Sequence, residues 1–406
     1  MTRSILVLNA GSSSLKYALY HLGAKTRCAV QGLVEQVGTT RSVITHSELG
    51  ESDDKNTLTE NAAIPDHGDA LKRVVRLLKL DKQNIAGVGH RVVHGGESIT
   101  GPMLIDDSLK KAIVRSTPLA PLHNPPNLQG ILVAEQLFSC PQVAVFDTAF
   151  HCTMPPKAYT YGVPYALYEE LGLRRYGFHG TSFYYLTGES ARLLNKPKNK
   201  VNLIIFHLGA GASMAAIRNG ESIDTTMGVT PLEGLMMATR SGDIDPAIYK
   251  LLSDQKGMSV AEIDTMLNKE SGLVGVCGEK DMRRVLDKAG NGDEGAKLAL
   301  AVFIHRIRKY LGAYYVHLCG KVDALVFSAG IGERSAPIRA LVCEGLEELG
   351  ISIDEKKNNE SRKDGREIQK DGSKIKILVV PTDEELSIAQ QTLSVIEKLP
   401  GDGPGR

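Results

Sequence analysis

Short apolar runs alternate with helically spaced ones along almost the whole chain. Ile5–Leu8 and Leu15–Tyr20 are apolar runs on either side of a small polar stretch, Asn9–Ser14. They read as two buried strands joined by a turn. The turn is either a plain hairpin, with Gly11 supplying the reversal, or a cradle that offers N–H groups, hydroxyls and Lys16 to a phosphate. "CAVQGLVEQV" (28–37) continues the sheet, and "THSELGESDDKNTLTENAA" reads as polar hairpins or an exposed loop. Leu71, Val74, Val75 and Leu78 recur at helical spacing and predict one buried helix face. "IAGVGHRVVHGGE" and "QVAVFDTAFH" are apolar strands that end in polar residues. "VNLIIFHLGAGASMAAIRNGES" (201–222) opens a second domain. A long helix near 294–318 leads to the strand "DALVFSAG" and the helix "SAPIRALVCEGLEELG". The charged segment 354–373 reads as a solvated loop before the strand "KIKILVV", the helix "EELSIAQQTLSVIEKL" and a Gly/Pro tail.

"LVLNAGSSSLKYALY" and "IIFHLGAGASMAAIR" share one plan: apolar strand, small-residue turn, returning strand. Their glycines, Gly11 and Gly209, lie half the chain apart. If the echo is a true repeat, the molecule consists of two similar halves, each offering a phosphate-binding hairpin to a cleft.

Composition narrows the class. At 406 residues, 42% apolar and 23% charged, the chain is expected to be a globular protein of two domains. A net charge of +1 argues against a nucleic-acid surface or a polybasic membrane anchor. The N-terminal apolar run stops at Asn9, too short for a membrane span and without a cleavage pattern. Six scattered cysteines with no C-x-x-C pair argue for reduced thiols in the cytoplasm rather than a zinc site.

Neither a Walker-type phosphate loop nor a Rossmann fingerprint in the right context is present. "FSAGIGER" (327–334) adds a third glycine element, between a strand and a helix, where the backbone can approach an anionic ligand or simply turn tightly. Arg91 and Arg240 follow apolar runs, and guanidinium groups suit carboxylates and phosphates; ordinary ion pairing is the competing role. Asp147 ends a strand, a costly place for a carboxylate without a partner. His179 precedes a helix that Thr181 or Ser182 could cap, and His123 sits in a proline-stiffened loop. Asp243 and Asp245 are metal-type residues, although Asp245 before Pro246 also suits a helix cap; Glu384 and Glu385 suit the first turn of a helix.

The segments "LNAGSSSLKY", "GHRVVHGGE", "PLAPLHNPPNL", "FDTAFH", "YGFHGTS", "HLGAGAS", "DTTMGVTPLEGLMMATRSGDIDP", "FSAGIGER" and "PTDEEL" resemble, in order, those of the acetate kinase family over residues 4 to 397. The resemblance implies an α/β fold of duplicated actin-like (ribonuclease H-like) domains with a nucleotide cleft between them. An N-terminal domain would cover 1–150, with a C-terminal helix at about 384–398 packing back on it. A nucleotide-binding domain would cover 151–383, and 399–406 would be a disordered tail. The implied reaction is reversible phosphoryl transfer between ATP and acetate, giving acetyl phosphate and ADP with Mg²⁺ (Mn²⁺ as the substitute), in a cytoplasmic homodimer that engages neither nucleic acid nor membrane.

By the same resemblance, Arg91 and Arg240 would hold the acetate carboxylate and the moving phosphoryl group. His179 would stabilise its oxygens, and Asp147 would serve acid–base or orienting chemistry. Asn9 and Glu384 would organise the metal. The nucleotide would meet Ser12, Ser14, Lys16, His207, Leu208, Gly209, Ala210, Gly211, Asp281, Met282, Arg283, Gly330, Ile331, Gly332, Glu333 and Arg334. The acetate methyl would meet Val93, Leu122, Phe178 and Pro231. Ala210 and Arg334 stand where relatives often carry Asn, which bears on purine preference. A propionate kinase would share almost every motif. A nucleotide-dependent binding module is the alternative from another class, and ATP turnover without acyl phosphate would mark it.

Overall fold

The computed structural model describes residues 3–23, 26–50, 55–78, 84–362 and 364–399; from residue 400 the expected disordered tail lies outside the described residues. The chain divides into two compact units, 1–150 with 383–406, and 151–382.

Unit 1 is built on strands β1 (Ser4–Ala10), β2 (Ser14–His21), β3 (Arg27–Glu35), β4 (Thr39–Leu49), β5 (Lys55–Ile64), β6 (Ile85–Val92), β7 (Met103–Leu104) and β8 (Gln142–Phe146). They form one sheet in the order β5-β4-β3-β2-β1-β6-β8-β7. The unbroken apolar run of β1 follows from burial on both faces. Leu6 and Leu8 pack with Leu71, Val74 and Ala134 on one side, whereas Ile5 and Val7 pack with Ile388, Ala389 and Ile396 on the other. The helix His67–Leu77 buries Ala70, Leu71 and Val74, close to the predicted stripe. The described residues of the polar segment 45–63 lie mostly in β4 and β5, which pair antiparallel.

The helix Glu384–Ile396 covers the second face of the unit 1 sheet. Two glycines on β6 permit its approach. A methyl group on Gly87 would lie 2.2 Å from Ile396 Cδ1, and one on Gly89 would lie 2.3 Å from Thr392 Oγ1.

Unit 2 carries β9 (Leu203–Leu208), β10 (Ala212–Arg218), β11 (Glu221–Thr225), β12 (Ala324–Ser328), β13 (Arg366–Glu367) and β14 (Lys376–Val379), in the order β11-β10-β9-β12-β14-β13. Each unit therefore repeats one plan. Its first strand pairs antiparallel with the second and parallel with a later strand, which pairs parallel with the next. The sequence echo is this repeat. In β1–β2, Ala10 opposes Leu15; in β9–β10, Leu208 opposes Ala212, a turn one residue tighter.

Two expectations need correction. The segment 354–373 is not a solvated loop: it holds the helix Glu355–Asn359 and β13, and Asn358, Arg366, Ile368 and Gln369 are buried. Its charged composition conceals a polar network, in which Arg339 Nε donates to Asn358 Oδ1 at 2.7 Å. The helix expected over 335–350 stops at Cys343, followed only by a short 3₁₀ turn, Glu347–Leu349.

Gly89→Ala should destabilise unit 1 by about 1–3 kcal/mol through overpacking against the helix Glu384–Ile396. Gly101→Ala, with nothing within 4 Å of the added methyl, should stay within about 0.5 kcal/mol of the parent. Urea unfolding midpoints of the two variants make the comparison.

Candidate active site

In unit 1, parallel pairing brings the C-terminal ends of β1, β6 and β8 side by side. Asn9, Arg91 and Asp147 sit at those ends. Arg91 Nε donates to Asp147 Oδ1 at 3.1 Å and its Nη2 donates to Oδ2, a two-point fork. Arg91 Nη1 donates to Asn9 Oδ1 at 3.4 Å. Asp147 is 1% exposed, so the partner its position demanded is Arg91. Burial works against the charge of Arg91, but Asp147 and then Glu384 outweigh it and hold the guanidinium protonated above its ordinary range.

Glu384 and Glu385 open the helix Glu384–Ile396, whose cap is Asp383, accepting from Leu386 N at 2.8 Å. Lys16 pairs with Glu385 at 2.5 Å. In the Gly11–Ser14 turn, Gly11 N donates to Ser14 O at 2.8 Å, while Ser12 is exposed. His67 Nε2 donates to Gly11 O at 2.6 Å, pinning the turn from the helix His67–Leu77.

Two asparagines that sequence reasoning passed over fix this edge. Asn127 Nδ2 donates to Ala10 O at 2.6 Å while its Oδ1 accepts from Val93 N at 3.0 Å. Asn124 accepts from His94 N and donates to His94 O. Both lie in "HNPPN"; buried asparagines on a helix starting with two prolines were the available signal. Val93 is buried, whereas Leu122 is 67% exposed within the protein as described.

In unit 2, His179 takes a left-handed conformation (φ +57°) immediately before the helix Gly180–Leu193. That conformation turns the ring toward the start of β10, where its Nδ1 lies 2.8 Å from Ser213 Oγ. The ring stacks on His207 with centroids 4.2 Å apart. Neither Thr181 nor Ser182 caps the helix: no side-chain cap forms, and Ser182 instead hydrogen-bonds His207 Nδ1 and Thr382 Oγ1, each at 2.8 Å. Ser213, and the role of Ser182 beside His207, were missed because a lone serine does not show its partner in the sequence.

Arg240 reaches the same place. A methyl group on Gly211 would lie 3.6 Å from His179 Nε2 and 3.7 Å from Arg240 Nη1, so both cationic-type side chains converge on the second glycine turn. Arg240 Nη1 donates to Pro231 O at 3.3 Å. Burial lowers the pKa of Arg240, and no carboxylate offsets this. Phe178 is buried and its carbonyl accepts from His151 Nε2 at 3.0 Å. Asp243 and Asp245, metal-type by residue, serve the fold: Asp243 accepts from Gly234 N and Tyr310 OH, and Asp245 from Ala247 N.

Beside this turn a pocket of 540 Å³ is lined by Gly209, Ala210, Asp281, Met282, Arg283, Gly330, Ile331 and Arg334. Eight of the expected nucleotide residues thus gather on one concave surface of unit 2. Others stand behind it. Leu208 is buried, a methyl on Gly332 would lie 3.7 Å from Leu208 Cβ, and Glu333 Oε1 accepts from Thr382 N at 3.2 Å.

The two arginines differ in what their loss exposes. Arg91→Ala strands the buried carboxylate of Asp147. It should lower stability toward the low end of about 3–5 kcal/mol, since 23% of the Arg91 side chain meets solvent. Arg240→Ala strands no charge and should unfold at nearly the parental denaturant concentration. Equal losses in the two variants would contradict this difference.

The chain is similar to known proteins over almost its whole length. The acetokinase family model matches residues 4–390. The chain is 50% identical over 403 residues to an acetate kinase of Oleidesulfovibrio alaskensis, covering 97% of this chain and all of that one. It superposes on the crystal structure of Porphyromonas gingivalis acetate kinase with a TM-score of 0.90 and 41% identity, over 97% of this chain and 100% of that one. A propionate kinase structure from Francisella tularensis is similarly near, with a TM-score of 0.89 and 42% identity over the same shares. The chain belongs to the acetokinase family, whose members transfer a phosphoryl group between ATP and acetate with the help of a divalent metal.

Proposed function

We propose that the reaction is carried by Arg91, His179 and Arg240 acting on acetate and the terminal phosphate of ATP, with Asp147 as a positioning residue. The observation that supports this most is Arg240: a partly buried guanidinium, poised with His179 over the Gly209–Gly211 turn, that faces no carboxylate. A buried cation of this kind is best satisfied by an anionic ligand.

Acetate is an anion at neutral pH and needs no general base, which is why Asp147 is assigned to holding Arg91 rather than to moving a proton. A carboxylate oxygen of acetate attacks the γ-phosphorus as the bond from that phosphorus to the β–γ bridging oxygen breaks. ADP departs, and acetyl phosphate remains. Arg91 receives the acetate carboxylate. Arg240 and His179 meet the equatorial oxygens of the transferring group, where charge stabilisation and alignment supply most of the catalysis. The Ser213 contact fixes the His179 ring for that purpose.

The divalent metal is assigned as Mg²⁺. The donors fit it: Asn9 Oδ1 and the Glu384 carboxylate are hard oxygens in the same unit. Mg²⁺ typically takes one or two protein oxygens, with water and substrate phosphates completing its shell. When bound it neutralises phosphate charge. The 540 Å³ pocket is assigned to the adenosine part of ATP, with Gly330 leaving room there: nothing lies within 4 Å of a methyl added to it.

Acetate is assigned as the preferred acid, with Val93, two residues beyond Arg91, contacting its methyl group. A propionate kinase is the second reading, favoured by the similarity to the Francisella tularensis structure. One methylene limits discrimination to about 10–200-fold, and we place the preference for acetate near the lower figure. A homodimer is proposed from the exposed apolar side chains Leu298 and Val316 on the helix Glu294–His317. No helix of the described residues is long and apolar enough to cross a membrane, and we assign the protein to the cytoplasm.

Arg240→Ala should lower kcat by about tenfold to over a hundredfold, the equivalent of losing a charge-assisted contact of roughly 1.5–3 kcal/mol. Its circular dichroism should match the parent. Steady-state kinetics with ATP and acetate make the test, and near-parental turnover would remove Arg240 from the site.

A further inference from the structure

A second concave surface of unit 2, 700 Å³ in volume, shares only Glu333 and Arg334 with the residues assigned to phosphoryl transfer. Four guanidinium groups line it, Arg334, Arg339, Arg362 and Arg366, against two carboxylates, Glu333 and Glu360. The lining therefore carries two positive charges in excess.

The charges are unequal in how they are held. Arg339 is fully buried and committed to the fold: it donates to the carbonyls of Gly332 and Glu333 and to Asn358. Arg362 pairs with Glu360 at 3.0 Å, on the open side. Glu333 is engaged by Thr382 N. Arg366 is the exception. It is 8% exposed, yet its Nε meets no hydrogen-bond acceptor. Burying a guanidinium with an unmade hydrogen bond is costly. Burial and then the like charge of Arg362 work against the charge of Arg366, and Glu360, Asp364 and Glu333 offset part of this.

We propose that this arginine-lined pocket binds a small phosphate dianion, either free phosphate or the phosphate of a monoester, at a site that shares Arg334 with the nucleotide pocket but is otherwise lined by different residues. A dianion matches the excess of two charges, and the forked donors of arginine suit tetrahedral oxyanions. The volume leaves room for more than a bare phosphate, and Val379, Pro381 and Ala336 provide apolar wall for the rest of a monoester. The proposal goes beyond the phosphoryl-transfer assignment and does not depend on it.

The test is calorimetric titration of the full chain, saturated with Mg·ADP, with inorganic phosphate and separately with glycerol 3-phosphate. We expect saturable binding of at least one of them. Tighter binding of the ester identifies a monoester as the occupant, and tighter binding of phosphate identifies the free ion. Arg366→Gln should abolish this binding. Because that buried position could perturb folding, the exposed Arg362→Gln serves as a second variant, expected to weaken binding about tenfold by removing one charge-assisted contact while leaving acetate turnover unchanged. Arg240→Ala should bind as the parent does. Absence of saturable binding at millimolar concentration, binding indifferent to Arg362→Gln in the folded protein, or binding lost in Arg240→Ala would each overturn the proposal.

Discussion

A carboxylate must be brought to a phosphorus already surrounded by negative oxygens, and charge repulsion opposes every step of that approach. In the mechanism proposed above, two arginines would meet this constraint in two different ways. Arg91 is held by a fork to the buried Asp147, so its direction is fixed and its charge is secured before any ligand arrives. Arg240 is anchored by the Pro231 carbonyl and the Met237 sulfur, and no carboxylate among the described residues compensates its charge. The first arrangement suits alignment of a small anion, which must be presented at one angle. The second suits stabilisation of charge that grows on a transferring group, because a guanidinium already neutralised by a carboxylate has less to give.

The rest of each unit positions these side chains. Parallel strands end together, and the ends of β1, β6 and β8 place Asn9, Arg91 and Asp147 within hydrogen-bond reach. In unit 2 the corresponding plan places the Gly209–Gly211 turn at the end of β9, where a tighter reversal and small residues let His179 and Arg240 close in. The duplicated strand–turn–strand has diverged in its turns. The first carries serines and is pinned by His67, and the second carries glycines and is approached by side chains. One inherited geometry thus provides two different polar surfaces.

Much of this was legible before the structure. β1 and β9 announced themselves as unbroken apolar runs because both faces of a central strand are covered, and their glycine turns followed at once. Arg91 and Asp147 stood at strand ends, His179 before a helix and Arg240 in a polar loop, but each had an ordinary structural role as a competitor, and only the family resemblance joined the four into one site. The supporting residues were not legible. Asn124, Asn127, Ser182 and Ser213 act through hydrogen bonds to partners distant in sequence, and such a residue looks the same whether it faces water or a buried partner. The segment 354–373 misled for a related reason: its charges suggested solvent, whereas Arg339 and Asn358 satisfy each other inside the protein. Composition reports how polar a segment is, but not whether its partners are water or protein.

The proposed site passes a phosphoryl group to acetate, a carboxylate with one carbon beyond the carboxyl. The most direct measurement is trapping of acyl phosphate as its hydroxamate, with ATP and Mg²⁺ and with acetate, propionate and butyrate supplied in turn. Acyl phosphate should form fastest from acetate, about tenfold more slowly from propionate, and more slowly again from butyrate, a spread within what single methylenes can produce. ATP consumed without acyl phosphate, or propionate used as well as acetate, would contradict it.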